Sequence, residues 1–180
     1  MAKENSALKM IVTLVIIACV IALAMSYVNG LTVPVIQKNA ETKLNNSLSE
    51  VLPADSYEVL ENGEATVYGA KKDGEQIGVC VVNYAKGYGG DIKVMCGILN
   101  DGTVNKVEIL EMSETPGLGA NAKNESFKEQ FKGRSGIIGV SKTEKSDTEI
   151  LAISGATITS KAVTEAVNSA IEIAAKWRDK

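Results

Sequence analysis

The chain has 180 residues, a formal net charge of −3, 45% hydrophobic residues and no histidine. That length accommodates one membrane segment plus one soluble domain with its own core, and leaves little room for two independent soluble domains. The mildly acidic balance lacks the electrostatic footprint of a nucleic-acid binder, and three cysteines without a Cys-x-x-Cys pair give no zinc or iron–sulfur pattern.

Residues 1–9 form a short N-terminus carrying Lys3 and Lys9, and residues 10–28 follow as an apolar stretch interrupted only by Thr13, Ser26 and Tyr27. As a helix this stretch reaches roughly 28 Å, close to the thickness of a hydrocarbon core, and is read as a single transmembrane helix in the lipid bilayer. Two other readings compete: Ala22-Leu23-Ala24 satisfies a signal-peptide cleavage pattern, and Ile16 to Cys19 loosely fits a lipoprotein signal. The apolar run continues through Val28, past both cut sites, which favours a retained anchor. Lys3 and Lys9 lie nearer the span than Lys38 and Lys43, so the positive-inside rule places the N-terminus in the cytoplasm and the C-terminal domain outside the cytoplasmic membrane. Residues 29–53 are a linker and juxtamembrane helix, with Ala40, Leu44, Leu48, Val51 and Leu52 at helical spacing and Pro53 as the stop.

Residues 54–180 form the extracytoplasmic domain. Apolar runs at 65–70 and 77–84 flank Asp73-Gly74, and runs at 91–99 and 103–110 flank Asn100-Asp101-Gly102, which together predict an antiparallel sheet. A turn centred on Tyr88 sets Tyr84 opposite Ile92, Val82 opposite Val94 and Cys80 opposite Cys96. That pairing permits a disulfide, although two buried free thiols are the favoured reading. Phe127 and Phe131 fall on a helix, and Glu149 to Ile153 on a short strand. Residues 160–177 carry Val163, Ala166, Val167, Ala170, Ile171, Ala174 and Trp177 on one stripe, an amphipathic helix with Thr159 or Ser160 as N-cap. The fold class is α+β: a transmembrane helix, then an antiparallel sheet with packed helices.

Two stretches carry candidate chemistry. In I-S-G-A-T-I-T-S, residues 153–160, the hydroxyls of Ser154, Thr157, Thr159 and Ser160 surround Gly155-Ala156 where a strand passes into a helix. A helix N-terminus offers free N–H groups and partial positive charge, a setting for phosphate; the plain alternative is a helix cap. In E-T-P-G-L-G, residues 114–119, Pro116, Gly117 and Gly119 describe a rigid loop with exposed backbone, Leu118 an apolar contact, and Glu114 and Thr115 polar ones; the plain alternative is a structural turn. Without a histidine, no hydroxyl has an evident activating base, which argues against Ser or Thr hydrolysis.

G-Y-G-G-D-I, N-D-G, E-T-P-G-L-G, F-K-E-Q-F-K-G and S-G-A-T-I-T-S, in this order behind the N-terminal span, resemble the G subunits of Rnf electron-transport complexes and, more distantly, the C subunits of sodium-translocating NADH:quinone reductases. The resemblance implies an FMN-binding domain whose FMN is held covalently, its phosphate esterified to Thr157, with Ser154, Gly155, Ala156, Thr159 and Ser160 as neighbours of the attachment point. It implies that residues Glu114 to Gly119 approach the flavin ring. It further implies a membrane flavoprotein that relays electrons inside an ion-translocating ferredoxin:NAD oxidoreductase, inactive alone, with the other Rnf subunits and a maturing flavin transferase as partners. Where that family commonly has an aspartate six residues before the acceptor threonine, this chain has Leu151. The competing class is a non-redox, membrane-anchored binding or assembly module.

Overall fold

A computed structural model describes residues 2–178. The chain divides into two compact units, Met1–Leu44 and Asn45–Lys180. The first is helical, and the helix α1, Ala2–Val51, also supplies the first turns of the second unit. Gly30 and Pro34 fall inside this element. Between Met10 and Leu31 the large apolar side chains are exposed on every side of the helix, a pattern suited to lipid. Among the described residues it is the one helix long and apolar enough to cross a membrane by length and composition.

The second unit is built on five antiparallel strands in sequential order: β1 Ser56–Asn62, β2 Thr66–Lys72, β3 Glu75–Lys86, β4 Asp91–Leu99 and β5 Val104–Glu111. Short connections enforce this meander. Asp73 and Gly74 both adopt positive φ, 53° and 85°, the conformation whose twist matches a tight β2–β3 hairpin. After β5 come a 3-10 turn Gly119–Lys123, the short helix α2 Glu125–Lys128, a second 3-10 turn Glu129–Phe131, the parallel pair β6 Gly139–Ser141 and β7 Glu149–Leu151, and the helix α3 Thr157–Arg178. Phe127 and Phe131 meet edge to face, 5.6 Å between centroids, inside the core.

Both faces of the sheet are covered. Val163, Ala166, Val167, Ala170 and Ala174 of α3 are buried in one cluster with Val81, Val94 and Cys96. The other side receives the end of α1, where Leu48, Val51 and Leu52 are buried. The approach is close enough to demand glycine: a Cβ on Gly97 would lie 2.3 Å from the Val51 carbonyl oxygen. Asn105 Nδ2 donates to that carbonyl at 2.7 Å and Tyr57 donates its hydroxyl to the Leu52 carbonyl at 2.7 Å, so groups left free by the helix end are satisfied.

The β3–β4 register differs from the sequence expectation by one residue. Ala85 pairs with Ile92, Asn83 with Val94 and Val81 with Cys96, because Gly87 N–H donates to Gly90 O and closes a two-residue loop, Tyr88-Gly89, rather than a turn centred on Tyr88. A one-residue slip exchanges the faces. Cys80 therefore pairs with Gly97 and points away from Cys96, and both cysteines are free and buried. Burial pushes the Cys80 thiol up to about 12 and raises Cys96 as well. Neither is expected to react with a water-soluble maleimide in the folded protein, and both are expected to react after denaturation. A Cys80–Cys96 peptide recovered under non-reducing conditions would contradict this register.

Candidate functional site

β7 delivers the chain to the site and is held from outside. Arg134 donates to the carbonyls of Ser146, Asp147 and Glu149, at 2.8, 2.8 and 3.1 Å. Gln130 serves Leu151 as a neighbouring strand would, accepting its N–H at 2.7 Å and donating to its carbonyl at 3.2 Å. The chain then turns through Ile153 to Ala156, closed by Ala156 N–H to Ile153 O at 2.9 Å, with Gly155 at φ 74°. That conformation favours glycine, and a Cβ there would also press to 3.0 Å from Leu118 Cδ2.

α3 begins at Thr157, earlier than the expected residue 160, and this reassigns the hydroxyls. Ser160 N–H donates to Ala156 O at 3.0 Å, the first bond of the helix ladder, so Ala156 occupies the cap position. Neither Thr159 nor Ser160 is the N-cap. Ser160, fully buried, accepts the Ile153 N–H at 2.9 Å and donates to Ala156 O at 3.0 Å, tying the turn to the helix from within. Thr159, 1% exposed, donates its hydroxyl to Glu114 Oε2 at 2.9 Å. Thr157, at the first helical position, is half-buried, and Ser154 is exposed in the turn. The N–H groups of Thr157, Ile158 and Thr159 open the helix without acceptors inside it, leaving a partial positive charge at this end.

The facing wall is the E-T-P-G-L-G loop. Leu118 N–H donates to Thr115 O at 3.2 Å, and with Pro116 and Gly117, the latter at φ 77°, this is a tight turn that displays Leu118. Glu114 joins three segments. Its Oε1 accepts the N–H groups of Tyr88 and Gly89 at 2.8 and 3.1 Å, and its Oε2 accepts Thr159. The glycines around it are steric necessities: a Cβ on Gly87 would fall 2.2 Å from Glu114 Oε1, and one on Gly119 2.5 Å from Oε2 and 2.6 Å from Thr159 Oγ1.

These elements enclose a cleft of about 560 Å³ lined by Tyr88, Glu114, Thr115, Leu118, Gly119, Gly155, Ala156, Thr157, Ile158 and Thr159. Thr115 and Thr157, far apart in sequence, thus come to one cavity. Of the residues singled out from sequence, Pro116, Gly117, Ser154 and Ser160 do not line it; the first two shape the loop, and Ser160 braces the turn. Tyr88 and Ile158 were missed. Both project apolar surface at the cleft, 73% and 55% exposed, alongside Leu118 at 44%. The available signal was an aromatic residue framed by glycines in G-Y-G-G and an isoleucine on the polar side of α3. Apolar walls beside a helix N-terminus suit a flat aromatic ligand bearing a phosphate, the chemistry of FMN.

A family model described as the FMN-binding domain matches residues 87–172, a span that contains every cleft-lining residue. The chain is 36% identical to the G subunit of the proton-translocating ferredoxin:NAD(+) oxidoreductase complex of Clostridium ljungdahlii, over 94% of this chain and 92% of that one. It is 31% identical to the G subunit of the ion-translocating oxidoreductase complex of Methanosarcina acetivorans, over 96% of each. Among solved structures it resembles the C subunit of the Na(+)-translocating NADH-quinone reductase of Parabacteroides distasonis, with TM-score 0.55 and 27% identity over 64% of this chain and 63% of that one.

Proposed function

The chain belongs to the family of G subunits of ion-translocating ferredoxin:NAD(+) oxidoreductase complexes, and on that premise we propose how its own residues hold and use a flavin. It is an electron-transfer subunit of such a complex, membrane-associated, with FMN as its cofactor and other subunits of the complex as partners. Bound FMN supplies one- and two-electron transfer, which is why no histidine or other general base is needed at the cleft.

The finer reading assigns roles within the cleft. Thr157 Oγ1 would be the attachment point: in a flavin transferase its hydroxyl would displace the nucleoside monophosphate from the diphosphate of a flavin dinucleotide, losing its proton and leaving FMN as a phosphoester on the threonine. The N–H groups of Thr157, Ile158 and Thr159 would hold the phosphate at the positive end of α3. Leu118, Ile158 and Tyr88 give the ring apolar cover, and Thr115 offers a polar edge. Glu114 contributes as the brace between the walls. The observation that carries this reading is the convergence of Thr157 and the E-T-P-G-L-G loop on one apolar cleft. Coexpressed with a flavin transferase, the full chain is expected to give a denatured band that fluoresces under ultraviolet light; a dark band under those conditions contradicts covalent attachment.

The same reading places the domain outside the cytoplasmic membrane, anchored in lipid by residues 10–28. Retention then explains the covalent bond, since FMN released outside the cell would diffuse away. Protease added to spheroplasts is expected to digest the domain from about Gln37 onward. Protection of the domain in intact spheroplasts, lost only on lysis, would reverse the orientation.

A further inference from the structure

β7 has a strand beside it on one side only. In its parallel pairing with β6, Gly139 N–H donates to Thr148 O at 2.7 Å and Ala152 N–H donates to Ser141 O at 2.8 Å, so the even-numbered residues turn their backbone groups toward β6. The odd-numbered residues turn theirs the other way, where no strand lies among the described residues. An open edge of this kind leaves its backbone groups to water or to whatever side chains reach them. We infer that Gln130 and Arg134 are positioning residues for the flavin: they replace the missing strand along β7 and thereby fix the place of Thr157.

The bonds along that edge leave no backbone group over. Glu149 N–H donates to Ser146 Oγ at 3.1 Å, and the Glu149 carbonyl accepts Arg134 Nη2 at 3.1 Å. Both backbone groups of Leu151 are taken by the Gln130 amide, at 2.7 and 3.2 Å. The Ile153 N–H goes to Ser160 Oγ at 2.9 Å, and the Ile153 carbonyl accepts the Ala156 N–H, also at 2.9 Å. Side chains thus hold the strand from Glu149 to the point where it turns. Thr157 follows Leu151 by six residues, with Gly155 at positive φ between them. The clamp is itself anchored: Arg134 Nε donates to the Gln130 carbonyl at 2.5 Å, and Gln130 adjoins Phe131, which is fully buried. The stretch F-K-E-Q-F-K-G therefore sends its phenylalanines into the core and its glutamine out to β7.

Leu151 is exposed, so water can replace Gln130 at its backbone groups without unfolding the domain. Water does not tie the strand to the core. Once released, residues 149–156 move as a local unit, and a group joined to Thr157 moves with them. Electron transfer needs a cofactor held in place, and that is what a protein contributes to flavin chemistry. The inference rests on the reading that Thr157 bears the FMN, and it gives that reading a mechanical support outside the cleft, since neither Gln130 nor Arg134 lines the cavity.

The test uses the full chain in detergent, coexpressed with a flavin transferase, as wild type, Gln130→Leu and Gln130→Glu. The first variant loses both bonds to Leu151; the second keeps an acceptor for the Leu151 N–H but no donor for its carbonyl. Amide hydrogen exchange at Leu151 and the fluorescence anisotropy decay of the bound flavin are read together with the unfolding midpoint in denaturant. Expected in Gln130→Leu is Leu151 exchange about tenfold faster, with a fast anisotropy component absent from wild type and a nearly unchanged midpoint. Gln130→Glu should fall between the two. A lowered midpoint with unchanged anisotropy would make the clamp a matter of stability alone and overturn the inference. Flavin present on Thr157 in all three proteins with equal anisotropy decays likewise overturns it, whether or not Leu151 exchange quickens, and leaves the attachment reading standing. No flavin on Thr157 in the wild type defeats the attachment reading, and this inference with it.

Discussion

Thr157→Ala, coexpressed with a flavin transferase, is expected to yield a folded subunit whose denatured band is dark under ultraviolet light. The hydroxyls of S-G-A-T-I-T-S differ in their hydrogen-bond partners, and this difference makes the expected loss specific. Ser160 is spent on Ile153 and Ala156, and Thr159 on Glu114. Among the described residues the Thr157 hydroxyl has no hydrogen-bond partner, and it stands half-exposed at the first position of α3, on the cleft. Its removal should therefore cost well under about 1 kcal/mol of stability, as for a surface substitution away from a cap or a network. Ser154→Ala should leave attachment intact, and Thr159→Ala should retain part of it, because that change loosens the wall without removing the acceptor. Covalent flavin persisting in Thr157→Ala would move the attachment elsewhere.

Glu114→Ala should do the reverse, keeping the acceptor while disordering the cleft. It removes the acceptor for two loop N–H groups and a buried hydroxyl at once, and hydrogen bonds to a charged group contribute about 1.5 to 3 kcal/mol each before non-additivity is counted. A loss of about 2 to 4 kcal/mol in denaturant unfolding is expected, with a changed flavin absorption spectrum. Gly119→Ala should resemble it for a steric reason, since the new methyl would occupy the space of Glu114 Oε2 and Thr159 Oγ1. Unfolding midpoint and spectrum both unchanged in Glu114→Ala would mean that the brace is incidental.

The parts of the fold legible in the sequence are those written locally. Asp73-Gly74 and Asn100-Asp101-Gly102 announce hairpins because the backbone there needs positive φ, and the α3 stripe follows from helical spacing around a buried face. β1 was not legible. Ser56–Asn62 is an edge strand, largely exposed, held by its ladder to β2 and not by apolar alternation. β6 is three residues long and half-buried, too short to carry a period. The β3–β4 register is not written in the strand pattern, because the closing bond, Gly87 to Gly90, centres the turn between Tyr88 and Gly89 rather than on Tyr88. At the site, the motifs themselves were visible, but Thr159 looked like a cap because its real partner, Glu114, is 45 residues away in sequence. Tyr88 and Ile158 gave no sign from spacing, since only the folded arrangement turns both toward Leu118 and Thr157.

The central claim is that one hydroxyl, Thr157, carries the flavin at the positive end of α3. Peptide mapping by mass spectrometry of the full chain, purified from cells that also express the flavin transferase, tests it most directly. FMN mass added to the peptide Ile150 to Lys161, with fragment ions assigning it to Thr157, is the predicted result; the same mass assigned to Ser154, Thr159 or Ser160, or found only as released FMN, would contradict it.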